Sequence, residues 1–151
     1  MSTTNERNVS TAIHLSTLTQ YFIPFGNYIF PIIIWSSKKK DSEFIDSNGK
    51  QVLNFQLSML LYSLILCLIA IPIIIYAVLR NVTWNDLIND NHHHFNEMTI
   101  GQSTGFITLA LCAAAVFGFL KIMEFILIIY ASVKASNGEL YKYPLTIPFF
   151  K

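Results

Sequence analysis

Three stretches of this chain are almost free of charge, and no other feature constrains its fold as strongly. Asn8 to Ser37 and Gln51 to Leu79 contain no Lys, Arg, Asp or Glu, and from Met98 onward the first charges are Lys121, Glu124 and Lys134. A helical membrane crossing takes roughly 20 predominantly apolar residues at about 1.5 Å rise each. The segments at about 53–79 and 106–133 are long enough to cross with some tilt. With 53% hydrophobic and only 13% charged residues in 151, too little polar surface remains to hold such segments in water. The pattern excludes a disordered, disulfide-stapled or nucleic-acid-binding chain. It predicts an all-α polytopic membrane protein with a single helical domain over 13–151.

The first block, about 13–36, is interrupted by Pro24, Gly26 and Asn27, with Pro31 following. Proline removes a backbone donor and clashes one turn back, so two short helical pieces are expected here instead of one straight rod. The block is long enough for a third crossing, which is the favoured reading; a segment that dips in and returns is the alternative. Residues 1–12 are polar and read as a flexible tail, without the basic start, short apolar stretch and cleavage site of a secretory signal.

Basic residues set the orientation, because Lys and Arg near membrane segments stay on the cytoplasmic side. Three crossings place Lys38, Lys39, Lys40, Lys50, Lys134, Lys142 and Lys151 on one face, against Arg7 and Arg80 on the other. The loop 37–52 and the tail 134–151 are therefore cytoplasmic, and the loop 80–105 is outside. Within the inner loop, Asp41 or Ser42 can cap a short interfacial helix whose Phe44, Ile45, Val52, Leu53 and Phe55 lie on the bilayer. The lysine run serves mainly to fix topology, with attraction to anionic headgroups as the second reading.

Lys121 and Glu124 lie inside the last crossing, where a charge must be compensated. Their spacing of three lets them pair with each other. At roughly 100° per residue, Ala110, Ala114, Phe117, Gly118, Lys121, Glu124, Ile128 and Ser132 fall in one arc. Ala110, Ala114 and Gly118 form a small-xxx-small stripe that permits close helix approach in lipid. This face is expected to meet protein, either the other segments or a partner chain. The ion pair is then a packing contact or part of a proton or ion path. The break at Pro24 to Asn27 has the same two readings, a packing kink or a binding site built from freed backbone. Pro72 in the second crossing also reads as a kink. Asn54 and Gln56, at the entry of that crossing, can hydrogen-bond to the broken block or to interfacial water.

The remaining polar features carry less. His92, His93 and His94 are consecutive in an Asn-rich loop and point in different directions, so solvation or adventitious metal binding is expected. Asn81-Val82-Thr83 matches a glycosylation triplet that arises often by chance. Cys67 and Cys112 both fall within crossings and read as small apolar residues. Asn137-Gly138 stops the last helix, and the aromatic tail is expected along the interface or against the first loop. No cofactor or metal site is expected.

Several of these residues carry a family resemblance. His14-Leu15-Ser16, Tyr21 to Asn27, Pro31 and Trp35-Ser36 resemble the opening of a widespread family of small bacterial membrane proteins of unknown function. Phe44-Ile45-Asp46, Gly49-Lys50 and Leu53-Asn54-Phe55-Gln56 resemble its most recognisable block. Lys134 to Leu145, with Gly138, Tyr143 and Pro144, is similar to its end. The family is grouped remotely with the inner-envelope channel subunit of the chloroplast import (Tic) translocon. The resemblance implies a multi-pass protein of the bacterial cytoplasmic membrane and supplies no catalytic residues. The long outer loop and the charges inside the last helix depart from it.

Nothing in the sequence makes an enzyme: there is no nucleophile with its base, no phosphate loop and no paired carboxylates in a cleft. Two roles fit. One is an accessory or assembly subunit docking through the last helix onto its own copies or a larger complex. The other is an oligomeric channel or transporter component using Lys121, Glu124 and the Pro24 to Asn27 break.

Overall fold

The computed structural model describes residues 2–81 and 100–150, and every regular element among them is helical. His92, His93, His94 and most of the outer loop lie outside the described residues. The helices are α1 (Thr4–Ser16), α2 (Gly26–Lys38), α3 (Glu43–Asn81) and α4 (Ile100–Ser136), with a 3-10 turn at Thr17–Tyr21 after α1. The chain divides into two compact units, Met1–Leu61 with Lys121–Lys151, and Tyr62–Leu120.

The amino terminus is the first helix and not a tail. Thr3 caps it: the Glu6 amide donates to the Thr3 hydroxyl (3.3 Å), and the Thr3 amide donates to the Glu6 carboxylate (2.9 Å). This reciprocal pair satisfies two donors that a helix start otherwise leaves open. Ser10, Ile13, His14 and Thr17 are buried, a helical spacing that turns one face into the core.

After α1 the Ser16, Thr17 and Thr19 hydroxyls donate back to the carbonyls of Ile13, His14 and Ser16, and the backbone tightens into the 3-10 turn. The chain reverses over residues 22–25, with Phe25 in the left-handed region at φ 61°. α2 then packs back against α1. Gly26 is needed at this reversal, since a Cβ there would press on the Thr19 side chain and backbone. At 13 residues each, α1 and α2 are about 20 Å long, short of a ~30 Å hydrocarbon core. The first block therefore holds no single helix of crossing length.

α3 is one continuous helix of 39 residues, so the expected interfacial helix and the second crossing are a single rod. Ser42 starts it, with its hydroxyl accepting from the Phe44 amide (3.1 Å) and its carbonyl from the Asp46 amide (3.0 Å). The sequence provides no stop between Ser42 and the apolar run: Gly49 alone weakens a helix by only about 1 kcal/mol, and Asp46 and Lys50 pair along the same face (2.6 Å). Gly49 has a packing reason as well, because any Cβ there would overlap the Trp35 indole lying across it.

α4 closes in a Schellman motif at Gly138 (φ 79°), with Glu139 N–H donating to Lys134 C=O and Gly138 N–H to Ala135 C=O, both at 3.0 Å. Among the described residues, α3 and α4 are the two helices long and apolar enough to cross a membrane. The core of the first unit comprises Ile13, Ile45, Val52, Leu53, Phe55, Ile128, Ala131, Ala135 and Tyr143. In the second unit α3 and α4 leave an apolar crevice lined by Leu66, Ile69, Ala70, Ile73, Ala110, Ala113 and Val116.

Candidate functional site

Helix association in lipid gains little from burying apolar surface, so close packing and polar contacts must specify the fold. The first unit contains such contacts in three linked groups.

The first group centres on His14, which is fully buried. Its Nε2 lies 2.9 Å from Asn48 Oδ1 and its Nδ1 lies 2.8 Å from the Tyr143 hydroxyl. Asn48 spends its own N–H on the Phe44 carbonyl (2.8 Å), so its Oδ1 is an acceptor. His14 therefore carries its proton on Nε2 and accepts at Nδ1 from Tyr143. Burial pushes the Tyr143 phenol well above its ordinary value. Both groups are neutral here.

The second group is the ion pair. Glu124 is fully buried, whereas the Lys121 side chain is 38% exposed. Lys121 Nζ donates to Glu124 Oε2 (2.8 Å), and Gln20 Nε2 donates to Oε1 (3.1 Å). Each carboxylate oxygen thus has a partner, and the Gln20 bond ties the 3-10 turn to α4.

The third group joins the first block and the tail to α3. Asn27 Nδ2 donates to Gln56 Oε1 (2.7 Å), and the Tyr28 hydroxyl donates to the Gln56 carbonyl (3.2 Å). Asn54 engages the tail and not the first block: its Oδ1 accepts from the Phe149 and Phe150 amides, and its Nδ2 donates to the Phe150 carbonyl. Ser58 accepts from the Ile147 amide (2.8 Å). The tail is thus fixed along the start of α3, with Tyr143 buried and Phe150 edge-on to Trp35. Buried Gln56 Nε2 has no acceptor among the described residues.

The arc on α4 is filled at one end only. Glu124, Ile128 and Ser132 are buried in the first unit. In the second unit Ala110 borders the crevice, Ala114 is exposed, and a Cβ built on Gly118 meets nothing within 4 Å. Pro24 sits in the reversal before α2, and Pro144 follows Tyr143 in the tail. Cys67 and Cys112 are free thiols.

The cluster of His14, Asn48 and Tyr143 has no local signature, since 34 and 129 positions separate His14 from its two partners. Two signals were present. His14 is an ionisable side chain in an otherwise uncharged block, and Thr3 to Glu6 spells a capping box.

A family model described as the magnetosome magnetite crystal formation protein family, MamF/MmsF, matches residues 5–150. The chain belongs to this family. MamF/MmsF membership agrees with a small bacterial membrane protein, whereas the match brings no support for a grouping with the Tic channel subunit. No curated protein and no solved structure matches the chain. The match covers α1 to the tail, so the polar network lies wholly inside the MamF/MmsF region.

Proposed function

We propose that this chain is an accessory or assembly subunit that docks through the small-residue face of α4 onto another membrane polypeptide, either its own copies or a larger complex. The observation that carries the reading is the open arc, where Ala114 is exposed and Gly118 has free space above it. Small residues on a lipid-facing helix gain nothing from acyl chains, and they let a second backbone approach closely. The family description sets the context: the assembly serves magnetosome magnetite crystal formation. On the basic-side rule the lysine-rich loop and the carboxyl tail face the cytoplasm, in a bacterial inner membrane. The role requires no catalysis.

Transport is the second reading, favoured by the complete burial of Glu124 beside Lys121. The two are separated by one substitution set. Replacing Lys121 and Glu124 together by Leu abolishes flux in proteoliposomes if they line a path and leaves assembly intact. Replacing Gly118 by Leu disrupts assembly without affecting the folded subunit if the docking reading holds. Flux that depends on the ion pair, with an association state indifferent to Gly118→Leu, would replace the first reading by the second.

A further inference from the structure

We propose that the first block is a re-entrant wedge, with the turn at residues 22–25 seated among acyl chains of the leaflet on the basic side and both chain ends on that same side. The contacts of α1 and its 3-10 turn supply a depth scale. Arg7 lies against Gly138, Thr11 approaches the Ser132 carbonyl, Gln20 bonds Glu124, and Tyr21 packs on Phe125 with ring centroids 6.3 Å apart. This segment therefore runs antiparallel to the end of α4. Phe125 precedes Ser136 by 11 residues, about 16 Å of helix, or half of a ~30 Å core. α2 returns along α3, from the Asn27–Gln56 bond to the 2.9 Å bond between Trp35 Nε1 and Asp46. On α3 the Asn27–Gln56 bond lies only a few residues inside the crossing that begins near Leu53, so the turn enters one leaflet and does not cross.

The side chains at the turn fit that position. Phe22 is 88% exposed and Phe25 68%, with Ile23 and Tyr21 about half exposed. They continue the exposed apolar surface of Ile122, Phe125 and Ile126 on α4. α4 is one of the two helices that can cross, so whatever solvates it at Phe125 also meets the turn. That medium is hydrocarbon.

Most amides around the turn are satisfied within it, as non-helical chain in lipid requires. The Phe22 and Ile23 amides donate to the Thr19 carbonyl, the Gly26 amide to Ile23, and the Tyr28 and Ile29 amides to Phe25. Pro24 has no N–H to satisfy. The neighbouring Ser16, Thr17 and Thr19 hydroxyls all donate to backbone carbonyls. Basic residues lie at the other end: Arg7 joins Lys38, Lys39, Lys40, Lys50, Lys134, Lys142 and Lys151 on one side, leaving Arg80 opposite.

The test uses the full chain with Cys67 and Cys112 replaced by Ser. Single cysteines at Asn5 and Lys142, both exposed, are labelled with a membrane-impermeant maleimide in spheroplasts before and after permeabilisation. A nitroxide on Phe22→Cys is examined in phosphatidylcholine–phosphatidylglycerol vesicles. Since Phe22 makes little contact with the rest of the chain, that substitution leaves the fold intact. The wedge predicts that both terminal sites label only after permeabilisation, and that the nitroxide is relaxed more by oxygen than by an aqueous nickel chelate. Labelling of the Asn5 site alone in intact spheroplasts would establish three crossings and overturn the proposal. Greater access of the nickel chelate would place the turn in water, and dipolar broadening between labels would place a second copy there. Either result also overturns it.

Discussion

The Tyr143 ring lies flat on Phe55, with centroids 4.1 Å apart and planes 9° from parallel, while its hydroxyl reaches His14 Nδ1 at 2.8 Å. One side chain thus fastens the carboxyl tail to α3 by stacking and to α1 by a hydrogen bond. Tyr143→Phe keeps the stack and leaves the His14 acceptor buried without a donor. Such a loss costs about 1–3 kcal/mol. Thermal unfolding in detergent should show that decrease, and Tyr143→Ala, which removes both contacts, should cost about 3–5 kcal/mol.

The ion pair makes a separate prediction. Lys121→Leu leaves Glu124 buried with Gln20 as its remaining partner, and breaking a buried pair costs on the order of 3 kcal/mol; partial exposure of Lys121 places the value toward the lower end. Replacing both residues by Leu removes the stranded charge and should cost less than the single change. Chemical unfolding of the two variants in the same detergent checks the order.

Gly49→Ala forces the Trp35 indole off α3 and breaks its bond to Asp46. Overpacking of this kind costs about 1–3 kcal/mol. In a Trp84→Phe background the emission of Trp35 should shift as its surroundings change, with a matching fall in the unfolding midpoint.

The two long helices were legible because charge is missing over whole crossing lengths, and the end of α4 because Asn137-Gly138 is a local signal. α1 was not. Its sequence is polar, and its buried face of Ser10, Ile13, His14 and Thr17 gives no hydropathy contrast until Asn48, Tyr143 and α2 are brought to it. The continuity of α3 is hidden for a related reason: a change from polar to apolar composition marks a change of surroundings and not the end of a helix. Pairing of Lys121 with Glu124 follows from their spacing, whereas the role of Gln20 depends on a chain reversal that only the tertiary fold creates.

Whether the Ala110, Ala114 and Gly118 face meets polypeptide is read out by a photo-crosslinking amino acid at position 114 in native membranes. The expected product is an adduct with a second protein chain, its mass identifying a further copy or a larger subunit, and that adduct is lost in Gly118→Leu with an unchanged unfolding midpoint. Adducts with lipid alone, from a folded protein, would contradict docking through this face.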